Sequence, residues 1–166
     1  MTQQTLVCLD ASVALAFALP DEPLHAQAVD LIKALIGRGS LFCTPAMFAY
    51  ECDSVICLRA WKKELDNEDV QLARAAIAAL PITIEYDLSN HDRAFEIARQ
   101  YDQPRAYDAA YAAHAEARGV ELFTVDEPFY QAVNGNKKPK KAPALFWVKL
   151  LKAAKKQATQ ISLSDV

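Results

Sequence analysis

Five short apolar segments rich in β-branched residues alternate with longer stretches of helical periodicity along this chain. The segments lie near residues 5–10, 41–43, 82–86 and 121–124, with a weaker one near 144–148. Strands separated by helices are typical of an α/β fold with a mainly parallel sheet. In open sheets of this kind, functional sites lie beyond the carboxyl ends of the strands. We therefore expect five strands, with the functional residues placed where the strands end.

Helix-start and helix-end signals fall in the gaps between these segments. The signals are Pro23 and Gly37 around one helix, Thr44 with Pro45, Asp66 with Asp69, Ser89 with Asp92 at capping-box spacing, and Pro81 as a stop. An alanine-rich helix is predicted from about residue 106 to 118, with Gly119 as its left-handed C-cap. Each of the first three gaps between strands is therefore predicted to hold at least one helix, whereas NGNKKPKK before the fifth segment is predicted to be an exposed loop or insert.

Length and composition favour a single compact domain with a sizeable core, since the chain has 166 residues and 52% of them are hydrophobic. No apolar run approaches the ~18 residues of a membrane span, and the first residues lack the pattern of a signal peptide. A cytoplasmic location is therefore expected, with no membrane partner. The four cysteines are interpreted as buried, reduced thiols without metal-ligand spacing: Cys8, Cys43, Cys52 and Cys57.

The net charge of −3 hides a strong asymmetry along the chain. Residues 1–133 carry 10 Lys and Arg against 20 Asp and Glu, whereas residues 134–166 carry 8 Lys against a single Asp. A lysine-rich insert near 134–143 and a basic extension near 149–166 can steer a polyanion towards the protein. A solvated tail or loop without a binding role explains the same charges equally well.

Two aspartates stand where apolar strands end. Asp10 follows the first strand in TLVCLDASVAL, and Asp126 follows the fourth in ELFTVDEPF. A helix N-cap explains either residue taken alone, because a carboxylate accepts hydrogen bonds from free N–H groups in the first helical turn. If the two strands are neighbours in the sheet, the two carboxylates are expected to lie close together.

Two further carboxylates fall on apolar helix faces. Glu51 shares a stripe with Met47 at helical spacing, and Asp108 is followed by small apolar residues at the same spacing. A buried, unpaired carboxylate costs several kcal/mol or takes up a proton. Each of these side chains therefore needs compensation, and Arg59 or Arg105 is one candidate partner for Glu51.

A divalent metal ion is the other form of compensation. Gathering four carboxylates without a cation is strongly repulsive. Mg²⁺ and Mn²⁺ prefer carboxylate oxygens and water as ligands, so that one or two ions would offset this charge. Two such ions about 3.5–4 Å apart commonly serve to hydrolyse phosphodiesters. The four carboxylates therefore predict a site for one or two divalent ions.

Four blocks of the sequence follow one another between about residues 5 and 130: LVCLDASVALAFALPDEP, TPAMFAYECDSV, ALPITIEYD and RAYDAAYAAHAEARGVELFTVD. Together they resemble PIN-domain ribonucleases, in particular the VapC-like toxins of bacterial toxin–antitoxin pairs. The resemblance implies a three-layer α/β sandwich with a central, parallel five-stranded sheet flanked by helices. It also implies Mg²⁺- or Mn²⁺-dependent endonucleolytic cleavage of RNA, a homodimer, and inhibition by a cognate antitoxin protein.

The resemblance assigns roles to individual residues. It implies that four acidic residues are catalytic metal ligands: Asp10, Glu51, Asp108 and Asp126. Two hydroxyls, those of Ser12 and Thr124, are expected to bond a carboxylate or metal-bound water, unless they serve only as turn and helix-start hydroxyls. Apart from the resemblance, the charge of the basic insert makes four of its lysines candidate contacts for the RNA backbone: Lys137, Lys138, Lys140 and Lys141.

The chain departs from the family pattern near these blocks. Ser54 stands where relatives often have Asn, and Glu127 follows the last aspartate where they often have a basic residue. Glu127 adds negative charge there and is a further candidate for metal contact. The lysine-rich insert and the basic extension also exceed the compact family pattern. Substrate choice and the affinity of a second ion are therefore left open.

Two other functions are compatible with the sequence. The main alternative is a non-catalytic PIN-like module that binds nucleic acid or protein. A phosphoryl-transfer fold with a nucleophilic aspartate is a weaker alternative, because no lysine is evident near the ends of the later strands. Tyrosines and phenylalanines are interpreted as core residues rather than base-stacking platforms. The histidines are interpreted as structural or surface residues: His25, His91 and His114.

Overall fold

The computed structural model describes residues 5–153, and the strands in this range form one sheet. The strands are β1 (Leu6–Leu9), β2 (Leu41–Pro45), β3 (Ile82–Glu85), β4 (Leu122–Thr124) and β5 (Val148–Leu150). Their order in the sheet is β3-β2-β1-β4-β5, and every neighbouring pair is parallel. The predicted α/β class with a parallel five-stranded sheet is therefore confirmed.

The fifth strand lies later than predicted. It begins at Val148, so that the expected strand near 144–148 is wrong in its bounds. A turn precedes the strand, in which the Val148 N–H donates to the Leu145 carbonyl at 2.9 Å. Leu145 is buried whereas Phe146 is exposed, and neither belongs to the sheet. The apolar run ALFWV therefore combines a core anchor and a surface aromatic residue in a turn, rather than an extended strand.

Seven helices surround the sheet in the described part of the chain: α1 (Ala11–Ala18), α2 (His25–Gly37), α3 (Met47–Trp61), α4 (Asn67–Ala78), α5 (Ser89–Gln100), α6 (Tyr107–Arg118) and α7 (Glu127–Val133). Helix α1 packs against α2, α3 and α4, while α6 packs against α5, β1 and β2. Successive residues of a strand point to opposite faces of the sheet. Because Val7, Cys8 and Leu9 are all buried, both faces of β1 are covered, as in other parallel sheets.

Two predicted helix boundaries are confirmed by their hydrogen bonds and dihedral angles. Helix α4 begins with a capping box, in which the Asp69 N–H donates to Asp66 at 2.9 Å and the Asp66 N–H donates back at 3.1 Å. Gly119 follows α6 with a φ of +64°, a left-handed conformation that favours glycine. These local signals were sufficient because each acts within a few residues.

Two other predicted helix caps are wrong, although α5 does begin at Ser89. Thr44 does not cap α3; it lies buried within β2, and its hydroxyl donates to the Leu9 carbonyl at 3.1 Å. Ser89 does not open a capping box, because its own N–H and hydroxyl donate to the Asp87 carboxylate at 2.9 and 2.7 Å. In both cases the hydroxyl donates to an acceptor outside the helix instead of accepting from the N–H groups of its first turn.

The cysteine prediction holds for three of the four residues. Cys8 and Cys43 are aligned in neighbouring strands and are buried, and Cys52 is buried on α3. Cys57 is exposed, so the expectation of a buried thiol is wrong there. The buried residues of α3 are Phe48, Cys52 and Ile56, and Cys57 lies one residue past this stripe, on the outer side of the helix.

Strands β1 and β4 deliver their last residues to the same edge of the sheet. Leu9 is aligned with Phe123, and the Asp10 N–H donates to the Phe123 carbonyl at 3.1 Å. Strand β2 lies on the other side of β1, with Cys43 aligned to Cys8. The carboxyl ends of three neighbouring strands therefore meet where functional residues were expected.

The lysine-rich insert near 134–143 consists of turns in the structure, whereas most of the basic extension, residues 154–166, lies outside the described residues. Residues 1–4 lie outside them as well. Within residues 5–153, every helix is too short or too polar to span a membrane.

Candidate active site

Asp10 occupies the junction between β1 and α1, where only 6% of the residue is exposed. Its extended backbone makes it the N-cap of α1, and one carboxylate oxygen accepts from the Ser12 N–H at 3.1 Å. The other oxygen accepts from the Thr124 hydroxyl at 2.5 Å. Burial raises the pKa of Asp10, and these hydrogen bonds only partly oppose that effect. The aspartate is therefore a helix cap and, at the same time, a costly buried charge.

The hydroxyls of Thr124 and Ser12 join the ends of β1 and β4. Thr124 Oγ1 donates to Asp10 and accepts from the Asp126 N–H at 3.0 Å. Ser12 Oγ lies 3.5 Å from Thr124 Oγ1 and accepts from the Val125 N–H at 3.2 Å. The Thr124 side chain therefore contacts a carboxylate directly, whereas the Ser12 hydroxyl holds the backbone that carries Asp126.

Asp126 follows β4 and is the N-cap of α7, where its carboxylate accepts from the Phe129 N–H at 2.7 Å. The residue is half-buried. Its negative charge contributes to the raised pKa of Asp10 and of Asp108. The two strand-end aspartates thus lie within electrostatic range of each other, as expected from the adjacency of β1 and β4.

Glu51 accepts a short hydrogen bond from the Tyr111 hydroxyl, a partner on α6. Partial burial raises the pKa of Glu51, the Tyr111 hydroxyl lowers it, and the charge of Asp10 adds to the rise. The predicted arginine partners are wrong. Arg59 is instead paired with Asp21, Glu22 and Glu64, and Arg105 is exposed at the surface.

Asp108 is the second residue of α6 and is half-buried. Its pKa is raised to about 7, first by burial and then by the negative charges of Asp126, Asp10 and Glu51. A helix N-terminus favours a negative charge, but here burial and three other carboxylates outweigh that effect. This carboxyl group therefore titrates close to neutral pH, where a small change in its surroundings alters its charge.

All four carboxylates line one cavity of about 530 Å³, although they come from four different elements or junctions. Among its other lining residues are Ser12, Tyr50, Ser54 and Tyr107. No lysine or arginine is found in this lining, as far as the structure describes the chain. The cavity therefore concentrates negative charge without an internal counter-charge from the protein.

The donor set fits a hard divalent cation, because every charged side chain lining the cavity is a carboxylate. Between residues 5 and 153, however, no three His, Cys, Asp or Glu side chains are already arranged as metal ligands. Asp10, Glu51 and Asp126 each accept a hydrogen bond from the protein. Mg²⁺ retains several waters in protein sites and needs only one or two direct carboxylates.

The other polar residues expected near the site are distributed differently. Lys137 and Glu127 line a separate cavity of about 380 Å³ beside α7, rather than the acidic cavity. The Lys138 ammonium donates to the Ala142 carbonyl and so holds its own loop, while Lys140 and Lys141 are exposed. None of the three histidines lines the acidic cavity in the described structure.

Tyrosines are the residues that sequence reasoning missed. Tyr50 and Tyr107 directly precede Glu51 and Asp108, and both are exposed while lining the acidic cavity. Tyr86 and Phe146 are exposed as well, so the interpretation of the tyrosines and phenylalanines as core residues is wrong for these positions. The sequence did contain a signal for the two cavity tyrosines, because each directly precedes a helix carboxylate that was predicted to belong to the site.

The PIN domain family model matches residues 7–134, and the chain belongs to this family. Two solved structures share the fold. VapC20 of Mycobacterium tuberculosis, a toxin that cleaves the sarcin–ricin loop, is 17% identical with a TM-score of 0.57, over 76% of this chain and 94% of VapC20. PAE2754 of Pyrobaculum aerophilum is 20% identical with a TM-score of 0.58, over 80% of this chain and 90% of that protein. No curated protein matches the sequence significantly.

Proposed function

We propose that this protein is a metal-dependent endoribonuclease that hydrolyses RNA phosphodiesters. One observation carries the proposal: Asp10, Glu51, Asp108 and Asp126 line a single cavity that contains no basic side chain within the described residues. A structural role would leave this repulsion uncompensated, whereas one or two Mg²⁺ or Mn²⁺ ions would offset it. Membership of the PIN domain family supports the same conclusion.

We assign the direct metal contacts to Asp10, Glu51 and Asp108, with Asp126 completing this site or helping to hold a second ion. When bound, Mg²⁺ or Mn²⁺ would lower the pKa of water and neutralise charge on the phosphodiester. Thr124 fixes the Asp10 carboxylate, and Tyr111 fixes that of Glu51. Each hydroxyl thus holds one carboxylate in place and leaves that carboxylate with a free lone pair for a metal ion. With water as nucleophile, the products carry a 5′-phosphate and a 3′-hydroxyl.

Regarding its biological setting, we propose that the protein is the toxin of a toxin–antitoxin pair. It would act in the cytoplasm as a homodimer, with a cognate antitoxin as its inhibitor. The sequence blocks that resemble VapC-like toxins support this, and VapC20 itself is described as an RNA-cleaving toxin. We retain Lys137, Lys140 and Lys141 as proposed contacts for the RNA backbone because their ammonium groups are exposed or line the cavity beside α7.

The conservative variant Asp10→Asn tests the proposal. Asparagine is also a good N-cap, so that α1 retains its capping hydrogen bond while the negative charge is lost. The matched control is Asp66→Asn, which changes the N-cap of α4 far from the acidic cavity. We expect Asp10→Asn to lose Mn²⁺-dependent cleavage of RNA and growth arrest on expression, and Asp66→Asn to retain both.

A metal titration separates the enzyme from the non-catalytic alternative. A ligand that binds only the native state at 100 times its Kd raises the free energy of unfolding by about 2.7 kcal/mol. We expect Mn²⁺ to raise the melting temperature of the wild type but not that of Asp10→Asn. A protein that gains no stability from Mn²⁺ or Mg²⁺ and leaves RNA intact would be a binding module instead.

A further inference from the structure

A second cavity adjoins the acidic one at the carboxyl ends of β2 and β3. It has a volume of about 270 Å³ and lies between Pro45, Tyr86 and the start of α5. Met47 and Tyr50 line both cavities, so the two share a wall. Any extended polymer whose phosphate occupies the acidic cavity therefore has this second cavity as an immediate neighbour.

Exposed aromatic rings form the rim of the second cavity. Tyr50 is 78% exposed and Tyr86 is 70% exposed. The Tyr86 ring contacts the His91 ring edge-to-face, with a centroid separation of 5.9 Å and an interplanar angle of 86°. Exposed aromatic rings beside a nucleic-acid site commonly stack on unpaired bases, at about 1–3 kcal/mol per base. The rim thus offers stacking surfaces to an extended polymer that continues from the acidic cavity on this side.

Three polar residues in the lining of this cavity lie next to one another: Glu85, Asn90 and His114. His114 is only 1% exposed, and its Nδ1 lies 3.4 Å from the Asn90 amide nitrogen. Within the described chain, Nε2 makes no hydrogen bond, although it lies 3.4 Å from a Glu85 carboxylate oxygen. Glu85 is the carboxylate next to this ring, and it also lines the second cavity, where it can accept a hydrogen bond from a ligand.

The charge of the second cavity indicates which part of a nucleotide it accepts. Glu85 and Asp87 line it, and its lining includes no lysine or arginine in the described structure. Arg118 pairs with the other Glu85 oxygen at 3.3 Å. A phosphate group would be repelled here, whereas a carboxylate and an amide readily accept from the amino group of a base.

We propose that this second cavity binds one unpaired base of the RNA next to the scissile phosphate, which rests on the function proposed above. Tyr86 and Tyr50 stack on the base, and Glu85 and Asn90 accept hydrogen bonds from its exocyclic amino group. Adenine, cytosine and guanine carry such a group and uracil does not. The cavity therefore selects against uracil at one position beside the cleaved bond.

Binding of fluorescently labelled single-stranded RNA, measured by anisotropy in Ca²⁺, tests the inference without requiring cleavage. The probes are ten-residue RNAs that contain only A, only C or only U. The variants are Tyr86→Ala and Asn90→Ala, and the control is Phe95→Ala, which removes an exposed aromatic ring from α5 outside both cavities. We expect the wild type and the control to bind the A and C probes at least about fivefold more tightly than the U probe, a difference of about 1 kcal/mol.

A smaller preference in Asn90→Ala, with the U probe bound as in the wild type, and weaker binding of the A and C probes by Tyr86→Ala would support the inference. Equal binding of all three probes by the wild type, absence of RNA binding, or a preference that survives both substitutions would overturn it and favour a protein partner for this cavity. Base-selective binding without any cleavage in Mn²⁺ would instead contradict the proposed nuclease and leave the base site standing.

Discussion

Asp108→Asn is expected to stabilise the metal-free protein while abolishing its response to metal. The pKa of Asp108 lies at about 7, against 3.8 for an unperturbed carboxyl. Each pKa unit corresponds to about 1.36 kcal/mol, so the ionised side chain costs the folded state at most about 4 kcal/mol. Partial exposure and the titration of neighbouring carboxylates reduce this to about 2 kcal/mol. The substitution also removes the attraction between the Asp108 charge and the N-terminus of α6, which reduces the gain in unfolding free energy by about 0.5 kcal/mol.

The net gain of about 1.5 kcal/mol corresponds to a rise in melting temperature of about 3–6 °C for a chain of this size. The gain depends on pH in a definite direction. Because the folded state holds the Asp108 proton more tightly than the unfolded state, wild-type stability falls as pH rises from about 4 to 7. The variant lacks this contribution. The difference between the two proteins should therefore be near zero at pH 4 and fully developed at pH 8.

Thermal denaturation in EDTA at pH 4 and pH 8, followed by addition of Mn²⁺ at pH 8, measures these effects. Glu68→Gln is the matched control, because Glu68 is also the second residue of its helix but is exposed and lies outside the acidic cavity. We expect this control to lose a few tenths of a kcal/mol and to keep the Mn²⁺ response. A metal-free Asp108→Asn protein less stable than the wild type at pH 8 would refute the argument from repulsion.

Two further predictions concern the same site. Because protons and metal compete for Asp108, the apparent affinity for Mn²⁺ should fall about tenfold per pH unit below pH 7. Isothermal titration calorimetry at pH 5.5, 6.5 and 7.5 measures this affinity, and a value independent of pH would contradict the prediction. Thr124→Val removes the hydroxyl that donates to Asp10 and accepts from the Asp126 N–H, and it should cost about 2 kcal/mol of unfolding free energy. Thr124→Ser should lose much less in the same denaturation assay, and equal losses in the two variants would exclude the hydrogen bonds as the cause.

The positions of the two strand-end aspartates were predictable from the sequence, because they depend only on where two strands end and on how parallel strands are arranged. Asp10 and Asp126 each follow an apolar strand, and parallel strands place their carboxyl ends at one edge of the sheet. The partner of Glu51 was not predictable in this way. Tyr111 lies sixty residues further along the chain, and only the packing of α6 against the sheet brings its hydroxyl to Glu51.

The remaining differences between prediction and structure on α3 have a single cause. The buried face of the helix was predicted one residue away from its position in the structure. The sequence placed Glu51 on the inner stripe, but the buried residues are Phe48, Cys52 and Ile56. Each residue turns the helix by about 100°, so Glu51 moves to the edge of the buried face and Tyr50 to the outside. A charged residue at that edge reaches the cavity without being sealed in the core. The same rotation explains why Tyr50, which was interpreted as a core residue, is exposed and lines both cavities.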